Sequence, residues 1–158
     1  MTQAAALAPE VKKDTSRDKV LELETVFEAP IETVFHAFTD PEQLAKWWGP
    51  KGCTGEVHEL DLRPGGAWRT SMHHEDGSES RVGGVYEAIE PPSRLVFTWA
   101  WERDGVRGHE TRVTLDLAPF GAATHLKLHQ ALFQDNDARD KHGVGWTSSF
   151  GELAESLA

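Results

Sequence analysis

The chain has little with which to staple itself, cross a bilayer or grip a polyanion. One cysteine, Cys53, stands among 158 residues, which excludes an internal disulfide and suits a reducing compartment. No apolar run approaches the roughly 20 residues that a membrane-crossing helix needs. The short apolar stretch from Ala4 to Ala8 follows no basic region, so neither insertion nor a secretory leader is expected. Lys and Arg number 16 against 26 Asp and Glu, a net charge of -10. That sign argues against nucleic acid and anionic membrane surfaces as partners, because both are bound through clustered basic side chains. No P-loop, dinucleotide fingerprint or HExxH pattern occurs, and neither a cofactor nor a metal is expected. A cytoplasmic protein follows, either monomer or homodimer.

Tryptophan, by contrast, is plentiful, with six in the chain. One of them anchors the most informative stretch, residues 138–158. Trp146, Phe150, Leu153 and Leu157 recur at helical spacing and form one stripe, opposite Thr147, Ser148, Glu152 and Glu155. Such a helix lies on a core, with Asp135, Asn136 and Asp137 as capping residues at its start. Gly143 and Gly145 weaken its first turns and leave room beside Trp146 for another backbone or a ligand.

Residues 1–18 carry no periodicity and read as a disordered or loosely attached tail, which leaves a single domain over 19–158. Lys19 to Glu28 alternates as a half-buried strand, with Leu21, Leu23 and Phe27 inward. Pro30 opens a short helix whose buried face is Ile31, Val34, Phe35 and Phe38. Asp40 caps a second, with Pro41 at its first position, Leu44, Trp47 and Trp48 on one face, and Gly49-Pro50 at its end. From Cys53 to Ala131 turn signals such as Asp76-Gly77 and Asp104-Gly105 recur at hairpin spacing. They delimit strands near 53–62, 67–74, 79–89, 94–101, 107–118 and 123–132. Val113, Leu115 and Leu117 mark a dry face in the fifth of these runs, and Leu126, Leu128 and Leu132 in the sixth. Gly83-Gly84 signals a bulge or a close backbone approach. The faces of 53–62 and 79–89 show no clear alternation. The whole predicts an α+β fold: a curved seven-stranded antiparallel sheet, two short helices, and a long terminal helix across the concave side. A straight helix on a curved sheet diverges from it at one end and leaves a cavity.

The run from Ala29 to Glu42, with Trp47-Trp48-Gly49-Pro50, resembles the opening of the Hsp90 ATPase activator homologue-like family, within the START/Bet v 1-like superfamily. Asp61 to Arg69, Gly84 to Ile89, Pro91 to Trp99 and His142 to Trp146 continue the same pattern in order. The resemblance covers roughly residues 20–158 and implies a helix-grip fold enclosing a hydrophobic cavity. That one fold hosts lipid carriers, hormone receptors, cyclases and co-chaperone domains, so the resemblance implies no single activity. At this length the extra N-terminal domain of full Hsp90 activators is not expected.

The residues expected to line the cavity are Trp47, Trp48, Met72, Phe97, Trp99, Val113, Leu115, His142, Trp146 and Phe150. One of Trp47 and Trp48 should close the mouth while the other packs inside. Phe97, Trp99 and Trp101 form an aromatic row on one strand face. Two roles are equally open to His142: bonding a ligand, or capping a carbonyl near the helix start. His125 and His129 stand about 13 Å apart on a strand, too far to share a zinc ion. His73-His74-Glu75-Asp76 reads as a solvated turn. Cys53 could pair with a histidine, although a half-buried structural cysteine is the commoner outcome. Arg63 and Arg112 read as surface charges; Arg69 and Glu110 remain polar candidates. The leading function is non-catalytic binding of a small hydrophobic or aromatic molecule. The alternatives are an Hsp90 co-chaperone-like interaction module, or a cyclase or hydrolase using His142, Arg69 or Glu110.

Overall fold

The structure, a computed structural model, describes residues 19–158, so the expected tail over 1–18 lies outside the described residues. The chain runs β1 (Leu21–Phe27), α1 (Ile31–Thr39), α2 (Pro41–Trp47), β2 (Thr54–Leu60), β3 (Ala67–His73) and β4 (Glu79–Glu90). It continues with β5 (Arg94–Arg103), β6 (Val106–Arg107), β7 (Thr111–Phe120), β8 (Ala123–Ala131) and α3 (Asn136–Leu157). The strands form one antiparallel sheet in the order β1-β8-β7-β5-β4-β3-β2, with β6 as a short extra strand on β5. This is the curved sheet with two short helices and a long terminal helix that the pattern predicts. One run differs: the strand expected over 107–118 is divided. Asp104 and Gly105 both take positive φ, 54° and 78°, and this tight turn folds Val106–Arg107 back onto β5 before β7 begins at Thr111.

Local signals account for the helices. Asp40 caps α2 by accepting from the backbone N–H of Gln43 at 3.0 Å, with Pro41 at the first helical position. Asp135 caps α3 in the same way, accepting from Ala138 N at 2.8 Å. Trp146, Phe150 and Leu153 are buried along one stripe of α3, and Leu157 packs at its edge.

Register places the core. Residues paired across antiparallel strands point to the same side. Leu23, Leu128, Leu115 and Leu95 form one such row across β1, β8, β7 and β5. Leu21, Gln130, Val113, Phe97 and Tyr86 form the next. Thr70, Val82 and Trp101 lie in another, toward β2. The glycine pair in β4 is a close approach: a Cβ on Gly84 would sit 2.0 Å from the carbonyl oxygen of Thr98. Leu132, expected on the dry face of the last strand, is 56% exposed, because β8 ends at Ala131 and Leu132 turns out with φ 75°. Gln130 takes the buried position instead.

Candidate functional site

Between the N-terminal half of α3 and the β3-β4-β5 side of the sheet lies a cavity of about 470 Å³. That size falls within the roughly 300–1,000 Å³ of small-molecule sites. Its aromatic wall is Trp48 from the end of α2, Trp99 and Trp101 from β5, and Trp146 from α3. Met72, Ser80 and His74 close it on the side of the β3–β4 hairpin, and Gly49 and Pro50 form a further edge. The start of α3 supplies the mouth, where Lys141 pairs with Asp137 at 3.0 Å. Gly145 faces open space, with nothing within 4 Å of where its Cβ would stand.

The indoles are held in place by hydrogen bonds. Trp48 donates to Thr70 Oγ1 at 2.7 Å, and Thr70 donates onward to the carbonyl of Val82. Trp146 donates to Gln130 Oε1 at 2.8 Å, while Gln130 Nε2 donates to Thr111 Oγ1 at 2.8 Å. Trp101 donates to His142 Nε2 at 3.1 Å, which puts the ring proton on Nδ1, and Nδ1 donates to the carbonyl of Ala138 at 2.8 Å. Trp47 and Trp68 donate to the carbonyls of Ala37 and Thr98. Trp99 differs: its Nε1 is buried and meets no acceptor among the described residues. Ring-to-ring contacts complete the wall, with Trp99 centred 5.2 Å from Trp146 and 5.7 Å from Trp48.

His142 is therefore fully engaged by the protein. It caps Ala138 and anchors Trp101, and burial pushes its pKa below the ordinary value against a smaller opposing pull from the Ala138 carbonyl. A neutral imidazole with both nitrogens occupied is part of the wall, not a free acid or base. The other titratable candidates lie elsewhere. Arg69 reaches Glu59 at 4.0 Å, Glu110 pairs with Arg107 at 2.9 Å, and Arg112 pairs with Glu87 at 2.6 Å, all on exposed surface outside the cavity.

Of the ten residues expected to line the cavity, Trp48, Met72, Trp99, His142 and Trp146 do so; Trp47, Phe97, Val113, Leu115 and Phe150 do not. Trp47 packs edge-on to Phe38 in the core, and Phe150 packs edge-on to Phe27 where helix and sheet meet closely. Val113 and Leu115 lie in the filled part of the sheet, and Phe97 packs against Trp68 and Tyr86. His74 is a correction. It lies in the turn between β3 and β4, as expected, but is half-buried there, its Nδ1 meeting Cys53 Sγ at 3.2 Å and its Nε2 meeting Ser80 Oγ at 2.7 Å. Its neighbour His73 points the other way and pairs with Glu56 at 2.7 Å. Gln130, Ser80 and Gly49 were not among the residues expected at the site. The aromatic row already contained Trp101, and period-two spacing along β4 relates Ser80 to Val82. Among the described residues no group of three or more His, Cys, Asp or Glu could hold a metal ion, and no helix is long and apolar enough to cross a membrane.

A curved antiparallel sheet gripping one long helix, with an indole-walled cavity between them, defines a helix-grip protein. The family model described as activator of Hsp90 ATPase homolog 1-like protein matches residues 28–158, and the chain belongs to that family. Solved structures agree. A protein from Chromobacterium violaceum superposes with a TM-score of 0.81 at 31% identity, covering 88% of this chain and 96% of its own. The AHSA1 protein from Silicibacter pomeroyi gives 0.79 at 33% identity, covering 87% and 96%. An Arthrobacter aurescens protein shares the fold at 22% identity, with a TM-score of 0.83 over 94% of this chain and 90% of its own. A comparison with curated proteins finds no match.

Proposed function

We propose that this protein binds a small, flat hydrophobic or aromatic molecule in the indole-lined cavity, and that the cavity interior performs no reaction. The observation that carries this reading is the wall itself: four indoles and a neutral histidine around about 470 Å³. Rings held by hydrogen bonds lose little freedom when a ligand stacks on them, which favours binding. A cytoplasmic setting, as monomer or homodimer, belongs to the same proposal. The test is a titration of tryptophan fluorescence with a panel of aromatic compounds and lipids. Trp101→Ala, on the wall, should weaken the response, whereas Phe97→Ala, outside it, should not. No response from any member of the panel would defeat the proposal.

The family match favours a second reading, a chaperone-interaction module. Its support is membership, together with an acidic chain that would steer toward a basic partner surface. Adding the protein to the cognate Hsp90 tests it: binding with a raised ATPase rate supports the reading, and neither ends it.

A further inference from the structure

The four indoles of the cavity wall offer ring surface and no donor. Trp48, Trp101 and Trp146 spend their N–H groups on Thr70, His142 and Gln130, and the N–H of Trp99 is sealed away from the void. Their planes cross at angles from 47° to 90°, so the rings wall the space from several directions instead of stacking into one slab. An indole face carries negative potential, and rings arranged in this way form a cage suited to an organic cation. The wall supplies no cation of its own, since His142 accepts from Trp101 and is neutral.

The charges around the cavity have the matching sign. At its mouth stand Asp135, which caps Ala138, and Asp137, with Lys141 as the only basic side chain and already paired to Asp137. Trp101 and Ser80 also border an adjoining polar hollow of about 550 Å³, where Glu79, Glu102 and Asp104 outnumber Arg81 and Arg103, and Glu79 holds Arg81 at 3.1 Å. Carboxylates exceed basic groups on both sides, in a chain of net charge -10, and low-dielectric walls focus such a field on an entering ligand. A further sign comes from inside. Ser149 is 6% exposed and faces the cavity on the stripe of α3 that it shares with His142 and Gly145, yet its hydroxyl has no hydrogen-bond partner among the described residues. Buried hydroxyls are ordinarily paired, and this one has lone pairs to present to an ammonium group.

We propose that the indole cavity selects organic ammonium ions with an apolar or aromatic body over neutral molecules of the same shape. The inference rests on the binding reading and specifies the charge of its ligand. The body of the ligand fills the open space beside Gly145, and the alkylated nitrogen lies among the indoles. The acidic surroundings steer the cation inward and repel carboxylates. A positive charge spread over N-alkyl groups meets the ring faces without needing a buried counter-ion, which is why aromatic cages rather than ion pairs hold such ligands.

The experiment titrates the full chain with benzyltrimethylammonium and with neopentylbenzene, in which carbon replaces the charged nitrogen at unchanged shape, and reads tryptophan fluorescence. The cation should bind about tenfold tighter or more, and the anion phenylacetate more weakly than either. Trp101→Leu keeps an apolar wall but removes one ring, and should shrink the advantage of the cation over its isostere. Asp137→Asn, at the exposed mouth and outside the packing, should weaken the cation and leave neopentylbenzene unchanged. Binding of neopentylbenzene also reports that each variant folds. If the isostere or phenylacetate binds as tightly as the cation, or if the ratio of cation to isostere is the same in wild type and both variants, the ammonium proposal falls and the binding reading stands. If neither the cation nor the isostere binds, the ammonium proposal falls as well, and the response to the wider panel of aromatic compounds and lipids decides the binding reading by itself.

Discussion

The two sides of the sheet meet the same helix in different ways. On the β1-β8-β7 side the rows are aliphatic, with Leu21, Leu23, Val113, Leu115, Leu126 and Leu128 at 0–3% exposure, and the last turns of α3 close down on them through Phe150 and Leu153. On the β5-β4-β3 side the inward residues are Trp99, Trp101, Thr70, Met72 and Ser80, and the first turns of α3 stand off. Branched aliphatic side chains interdigitate and leave no void. Large planar rings pinned by their own hydrogen bonds cannot collapse into one. The cavity therefore reflects a change of side-chain shape along one sheet as much as the divergence of helix and strands.

Replacing a residue on each side should expose that contrast most strongly. Leu128→Ala, in the filled half, should cost about 2–5 kcal/mol, whereas Met72→Ala, beside an existing void, should cost clearly less. Urea denaturation midpoints at unchanged slope give both values, and equal costs would mean that the two halves are equally well packed. Next comes the polar link between them. Gln130→Leu leaves the Trp146 N–H without its acceptor and should cost about 1–3 kcal/mol, read in the same way.

A smaller effect, of opposite sign, belongs to the hollow side. Gly145→Ala meets no neighbour and removes a helix-interior glycine, so it should stabilise by about 1 kcal/mol. Gly145→Leu should instead fill the cavity and silence the fluorescence response to ligand. A response that survives Gly145→Leu would place the ligand elsewhere.

The smallest expected effect is a slope against pH. His142 is surrounded by the rings of Trp99, Trp101 and Phe133, and its pKa is depressed by burial. The unfolded chain therefore binds a proton more readily than the folded one. The contribution of His142 is complete above the ordinary histidine value of about 6.5 and is lost as pH falls through that value. Melting temperature measured from neutral pH down to about 5 should fall more steeply in wild type than in His142→Gln. Equal slopes would show that His142 is not held neutral by the fold.

Much of the fold was legible because its signals are short-ranged. The i, i+4 stripe of α3, the Asp40-Pro41 start of α2 and the Asp-Gly turns each depend on residues within a turn or two of one another, and such physics acts on any chain with that spacing. The split at Val106–Arg107 escaped because the two-residue strand is defined by its pairing with Glu102 and Arg103, not by any pattern of its own.

By itself, then, the sequence determined the helices, every strand but the Val106–Arg107 pair, where the turns fall, that the indoles go inside, and the family to which the chain belongs. Only the tertiary structure decided which indoles face a void. Trp47 and Trp48 are adjacent and equally apolar, yet one packs edge-on to Phe38 while the other reaches Thr70 across the core. The same holds for Gln130, whose partners Trp146 and Thr111 come from other elements. Cys53 meets His74 across 21 residues of chain. Each of these contacts depends on strand register and on the angle of α3 over the sheet, which are set by the sum of many distant contacts and leave no mark in any local window of sequence.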